Sequence, residues 1–141
     1  MKIAYTAHAT ANGGGREGLS KTDDGRVTVT LATPTEMGGS GKGTNPEQLF
    51  ATGYAGCYLG AMRFAANKNK IEMPAAATVS SSVSIGGRDD GSGFGLEVTL
   101  EVNLPGMDKA AAEDLAARGH VVCPYSHSIK GNVNVTTNVS V

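Results

Sequence analysis

Two thiols, Cys57 and Cys123, are the residues best suited to chemistry in this chain. A thiolate is a strong nucleophile, and two thiols that meet can exchange electrons as a disulfide. A thiol of ordinary pKa, about 8.5, is only a few per cent ionised at pH 7, whereas a value of about 6 makes it mostly thiolate. A nucleophilic cysteine therefore needs a cation beside it. Arg16 is the candidate, carried by Gly13-Gly14-Gly15-Arg16-Glu17-Gly18, where glycines let the backbone approach other structure closely. Glu47 could hold Arg16 in a bidentate pair and aim its guanidinium at a sulfur. Each residue also has a plainer reading. Either cysteine could be a small buried hydrophobe, Arg16 a surface charge, and Glu47 an acid complementing a helix N-terminus.

A metal site is an alternative. His120, Cys123 and His127 are spaced by three and four residues, and Cys57 could be a fourth ligand. The paired halves of structural zinc sites are missing, so the sequence favours no metal. His8 stands alone as strand or surface filler. No Cys-x-x-Cys supports a thiol–disulfide exchange enzyme.

The elements that must carry these residues follow from the pattern. Ile3, Tyr5 and Ala7 alternate with polar residues and predict a first strand. A strand is expected over 26–33, with a short partner near 17–22 across Asp23-Asp24-Gly25; 34–44 reads as loop. Asn45 as cap, Pro46 at the first position and Gln48 in a capping box start a helix. Leu49, Phe50, Tyr54, Cys57, Ala61 and Phe64 make its apolar stripe, through about residue 66. Gly53, Gly56 and Gly60 inside it predict close approach of another backbone and a central, buried helix. Glu47 and Cys57 then lie about 15 Å apart along a straight helix. Either the helix breaks or bends near Gly53, or the acid and the thiol of one site come from different subunits.

Val79 to Ile85 and Phe94 to Leu104 alternate and flank a turn-forming segment, a hairpin. A second helix is expected from Asp108 to Arg118, stopped by Gly119. Cys123 precedes Pro124, so a new helical turn should start there, with Cys123 facing its unpaired N–H groups. A last strand follows, with Val133, Val135, Val139 and Val141. The class is α+β: antiparallel sheets packed on a central buried helix, in a single domain over 1–141.

Composition narrows the function. Net charge is −1 and charged residues are 18% of the chain, with no block of one sign, which argues against nucleic acid or an anionic membrane as partner. Glycine, 20 of 141 residues, is roughly double the usual ~7%. No apolar run has signal-peptide or membrane-span length, so a soluble, cytoplasmic protein is expected, where thiols stay reduced unless they are working.

Several stretches together resemble the organic hydroperoxide resistance branch of the OsmC-like family. They are Tyr5-Thr6-Ala7 to Gly18, with Gly14-Gly15-Arg16-Glu17-Gly18; Gly43-Thr44-Asn45-Pro46-Glu47-Gln48-Leu49-Phe50-Ala51 to Gly53-Tyr54-Ala55-Gly56-Cys57; and Val122-Cys123-Pro124-Tyr125-Ser126 with Gly131-Asn132. The resemblance implies an intertwined homodimer with two sites at the subunit interface. It implies a peroxidase of organic hydroperoxides with Cys57 peroxidatic, Cys123 resolving, and Arg16 and Glu47 activating the thiol and positioning peroxide. It implies no bound cofactor and a dihydrolipoyl group on lipoylated proteins as reductant. An apolar mouth for the alkyl tail is expected from Phe50, Tyr54 and Tyr125, with the Met37 loop and Phe94. The competing reading within the family is an OsmC-like stress protein whose thiols do not distinguish alkyl peroxides from hydrogen peroxide.

Overall fold

A computed structural model describes residues 1–141. The chain forms two compact units, Met1–Leu49 and Phe50–Val141.

In the first unit, β1 (Ala9–Ala11), β2 (Leu19–Thr22) and β3 (Thr28–Thr30) form an antiparallel sheet in that order. The expected strand over Ile3 to Ala7 is not formed. Ile3 and Tyr5 stand exposed, and pairing begins only at Ala9, opposite Thr22. Alternation alone gives a strand no partner, and here β2 is already spent at Thr22. The β2–β3 hairpin turns at Asp23-Asp24-Gly25 as expected, where Gly25 has φ 71°. Between β1 and β2 the arginine loop makes a 3₁₀ turn, Gly15–Glu17. Asn12 pins this loop by accepting from the Leu19 N–H at 3.1 Å, and Glu17 by accepting from the Thr33 N–H at 2.7 Å. A Cβ on Gly18 would fall 2.0 Å from the Asn12 Oδ1, so any side chain there would push Asn12 off the loop it pins. The segment 34–44 holds a 3₁₀ turn, Thr35–Met37, and returns to pair Thr44 with Leu31.

Helix α1 runs from Pro46 to Asn69. The capping box is present: the Gln48 N–H donates to Asn45 Oδ1 at 2.9 Å, and the Asn45 N–H to Gln48 Oε1 at 3.1 Å. Such a cap is worth about 1 kcal/mol.

In the second unit, α1 buries Tyr54, Tyr58, Ala61, Met62, Ala65 and Ala66. They meet the inward row of β5 (Phe94–Asn103), where Val98, Leu100, Val102 and, just beyond the strand, Leu104 are essentially inaccessible. β4 (Thr78–Gly87) pairs with β5 as the expected hairpin, Val79 opposite Val102 and Val83 opposite Val98. The last strand, β6 (Asn134–Ser140), lies on the other side of β5 and runs parallel to it, so this sheet is mixed rather than wholly antiparallel. The cause is the connection. Two helices, α2 (Lys109–Val122) and α3 (Pro124–Ile129), return the chain to the end of the sheet where β5 began, as parallel crossovers do.

Asp108 caps α2 by accepting from the Ala111 N–H at 3.0 Å. Gly119 does not stop α2, which continues to Val122. A Cβ at Gly119 would lie 2.6 Å from Met62 Cγ and 3.2 Å from the Tyr58 ring, so this glycine lets α2 close onto α1. The expected role of the α1 glycines is not met in the same way. Gly53 faces the Tyr125 side chain, while Gly56 and Gly60 face open space. Phe64 is 60% exposed, so α1 has one buried face and one open face carrying Thr52, Gly56, Gly60 and Phe64.

Candidate functional site

The second unit brings the two cysteines together. Cys57 lies mid-way along α1 and is half-buried; Cys123 is fully buried at the joint between α2 and α3. Both are free thiols, and Cys123 Sγ approaches Cys57 Sγ at 3.6 Å. A disulfide needs about 2.05 Å, so the sulfurs have about 1.5 Å to close.

The start of α3 was expected to face Cys123. Cys123 is indeed its N-cap, with Pro124 at the first position, but its side chain makes no cap hydrogen bond. The backbone of Tyr125, in the first turn of α3, instead favours the thiolate form of Cys57. Burial nevertheless pushes the Cys57 thiol up. The neighbouring Cys123 adds to this, and the Tyr125 backbone works in the opposite direction. None of these influences is a cation.

The candidate cation is held in the first unit. Arg16 donates from Nη1 to Glu47 Oε1 at 3.0 Å and from Nη2 to Glu47 Oε2 at 2.7 Å. This is the expected two-toothed pair, made by residues from the glycine loop and the first turn of α1. The pairing raises the Arg16 pKa and holds the Glu47 carboxyl below its usual range. Arg16 Nε is buried without an acceptor, a donor not yet used. Helix α1 is continuous through Gly53, so the break considered there is not formed.

Three of the expected mouth residues form one aromatic cluster beside the thiols. The Phe50 ring stacks on Tyr125, centroids 5.7 Å apart and planes at 16°, and meets Tyr54 edge-on at 5.8 Å. Phe50 and Tyr125 keep partial exposure, whereas Tyr54 is fully buried beneath them. Phe94 lies elsewhere, exposed at the tip of the β4–β5 hairpin opposite Gly87. Met37 is exposed in the first unit's 3₁₀ turn.

Of the residues weighed as metal ligands, His120 and the two thiols take other partners. His120 Nδ1 lies 3.0 Å from Ser126 Oγ and Nε2 lies 2.8 Å from Thr137 Oγ1, so both ring nitrogens are engaged. Its ring packs on Tyr58 at 4.6 Å, and burial lowers its pKa. Ser126 Oγ also meets the Tyr54 hydroxyl at 2.8 Å. A polar chain, Thr137–His120–Ser126–Tyr54, thus runs from β6 to α1. Sequence reading missed it. The available signal was Thr137, a polar residue in the inward row of valines at 135 and 139.

No helix is long and apolar enough to cross a membrane. A family model described as OsmC-like protein matches residues 39–138. The organic hydroperoxide resistance protein of Xanthomonas axonopodis pv. citri is 48% identical over 140 residues, covering 99% of this chain and 96% of that one. A crystal structure of an organic hydroperoxide resistance protein from Legionella pneumophila superposes with a TM-score of 0.93 at 46% identity, over 99% of this chain and all of that one. The organic hydroperoxide resistance protein OhrB of Bacillus subtilis gives 0.87 at 38% identity, over 96% and 98% of the two chains.

Proposed function

The chain belongs to the OsmC-like family, on its organic hydroperoxide resistance branch, and from that premise we propose that it is a thiol peroxidase reducing organic hydroperoxides to alcohols. The observation that carries this reading is the 3.6 Å approach of Cys57 to Cys123. Two reduced sulfurs at that distance, one half-open and one closed off, suit a nucleophile and the thiol that resolves it.

The Cys57 thiolate attacks one peroxide oxygen and the O–O bond breaks. The alkoxide leaves, takes a proton and departs as alcohol, and Cys57 becomes a sulfenic acid. Cys123 then attacks the sulfenic sulfur. The S–S bond forms, the Cys123 proton goes to the departing hydroxide, and water is released. An external dithiol reduces the disulfide by exchange and is itself oxidised to a disulfide. A dihydrolipoyl group on a lipoylated protein fills that role.

Burial alone would leave Cys57 mostly protonated, so the scheme needs Arg16. The Glu47 pair fixes the guanidinium and leaves the Nε–H for a peroxide oxygen, where it stabilises charge developing on the leaving group. In line with the family resemblance, we assign the complete site to a homodimer, whose contact the open face of α1 with its small residues would supply. Phe50 and Tyr125 take the alkyl tail, at about 0.8 kcal/mol per methylene buried, with Tyr54 behind them. The resting dithiol suits the reducing cytoplasm.

The deciding experiment is stopped-flow consumption of tert-butyl or lipid hydroperoxide against hydrogen peroxide, with dihydrolipoamide as reductant. Fast turnover that needs Cys57 and favours the organic peroxide is expected. Slow or unselective turnover would return the protein to the wider family of OsmC-like stress proteins.

A further inference from the structure

The chain of polar groups through His120 lies within the second unit and takes no direct part in the chemistry above. From its geometry we infer that His120 and Ser126 are positioning residues for disulfide closure, clamping the first turn of α3 between α1 and β6 so that the Cys123 sulfur stays directed at Cys57. This inference rests on the two-cysteine reading of the site.

Ser126 immediately follows Tyr125, and with Cys123 both belong to the short segment where α2 hands over to α3. That segment has little holding it. The helix has six residues, and its backbone anchors beside the cysteine are the Cys123 N–H to the Gly119 carbonyl at 2.9 Å and the His127 N–H to the Cys123 carbonyl at 3.0 Å. Ser126 is its only buried polar side chain. Through Ser126 the turn is tied to Tyr54, one helical turn before Cys57, and through His120 to Thr137 on β6. When the sulfurs close the remaining gap, the clamp makes the side chains rotate and keeps the backbone of α3 in place.

Proton accounting gives the chain a direction. Tyr54 is fully buried, so its O–H needs an acceptor, and Ser126 Oγ is the one in reach. Ser126 then donates to Nδ1, which leaves the Nε2–H of neutral His120 to donate to Thr137. Protonating His120 puts a hydrogen on Nδ1, so Ser126 Oγ accepts from both Tyr54 and His120 and its own proton loses the Nδ1 acceptor. The groups facing His120 are Tyr58 and, through Ser126, Tyr54 from α1, Ser126 from α3, and Thr137 from β6. Lys130 is the charged residue lining the adjoining cavity with Val121, Val133 and Val135. None is an acid that would stabilise the imidazolium, and burial opposes it as well.

The test separates the two half-reactions. Reduced full-length protein is mixed with one equivalent of tert-butyl hydroperoxide. Sulfenic acid is trapped with dimedone, and disulfide is counted by mass spectrometry over time. Ser126→Ala and His120→Ala should slow closure roughly tenfold or more, while Cys57 oxidation stays within about threefold. The double variant should be no slower than the slower single one. His120→Asn, which restores an acceptor near the Nδ1 position, should recover more closure than His120→Gln. In wild type the closure rate should fall at acidic pH with an inflection that His120→Asn lacks. A Ser126→Ala protein that melts like wild type and closes within twofold of it would overturn the inference, as would the same acid inflection in His120→Asn. If His120→Ala does not fold, Ser126→Ala and His120→Asn carry the test alone. If wild type itself forms no Cys57–Cys123 disulfide, the two-cysteine reading falls and takes this inference with it.

Discussion

The sulfur of Cys123 lies 3.6 Å from that of Cys57, and Cys123 is the N-cap of the short helix whose Tyr125 backbone favours the Cys57 thiolate. A thiolate on Cys57 therefore has some backbone support before any cation arrives.

The two thiols should differ in what their loss does. Cys57→Ser is expected to bring hydroperoxide turnover to background. Cys123→Ser should consume one equivalent of peroxide and then stop, with a sulfenic acid at Cys57 detectable by dimedone labelling. Equal steady-state rates for Cys123→Ser and wild type with dihydrolipoamide would sink the two-cysteine scheme.

Arg16→Lys keeps the charge but loses the planar fork that spans both Glu47 oxygens at 3.0 and 2.7 Å. Oxidation of Cys57 should slow by roughly ten- to a hundredfold. With the cation misplaced, burial dominates the thiol, so its alkylation by iodoacetamide should inflect at higher pH than in wild type. An unmoved inflection would remove Arg16 from the activation of Cys57.

Gly119→Ala tests the contact between α2 and α1. Overpacking against Met62 and Tyr58 costs about 1–3 kcal/mol, and alanine's better helix propensity returns about 1. A net loss of up to about 2 kcal/mol is expected in urea unfolding, with Cys57 reactivity retained. A stabilised variant would mean that α2 yields at no cost.

Two groups should set separate pH windows of stability. His120 has its pKa lowered from 6.5 by burial, so the unfolded chain takes up its proton first as pH falls. Its contribution is complete above about 6.5 and is lost between there and the lowered folded value. Glu47 has its pKa lowered from 4.5, chiefly by its hydrogen bonds from Arg16, so its contribution is complete above about 4.5 and is lost at still lower pH. Urea titrations across pH 7.5 to 3 should show both declines. His120→Asn should flatten the upper one only, and Glu47→Gln should shrink only the lower one, to which Glu17, Asp24, Glu36 and Asp90 also contribute. An unchanged upper decline in His120→Asn would place its origin in another group.

Reading the sequence recovered the elements whose signals are local. The Asn45–Gln48 box, the Asp108 cap, the β4–β5 alternation and the helical start at Pro124 all depend on neighbours in the chain, and all formed. It was less reliable where a distant partner decides. The strand expected at Ile3 to Ala7 found nothing to pair with, and Gly119 looked like a stop although its neighbours are Met62 and Tyr58. The parallel sense of β6 depends on the crossover path and carries no mark in its valines. At the site, the Arg16–Glu47 pair and the nearness of the two sulfurs matched expectation, while the His120–Ser126–Tyr54 chain did not announce itself. Hydroxyl and imidazole groups become a network only once three helices and a strand enclose them.

Full enclosure of Cys123 has a kinetic consequence on the proposed mechanism. A newly formed sulfenic acid on Cys57 has two fates: capture by the waiting sulfur, or attack by a second peroxide that drives it irreversibly to sulfinic acid. The first is intramolecular and independent of dose; the second grows with peroxide concentration. The fraction of molecules lost per cycle is therefore a ratio of rates, and a partner already stationed 3.6 Å away weights that ratio towards survival. Since Cys123 is screened from solvent, the oxidant cannot remove the rescuer first. The molecule's working lifetime is thus counted in turnovers, and under a burst of oxidant it is set by geometry more than by abundance.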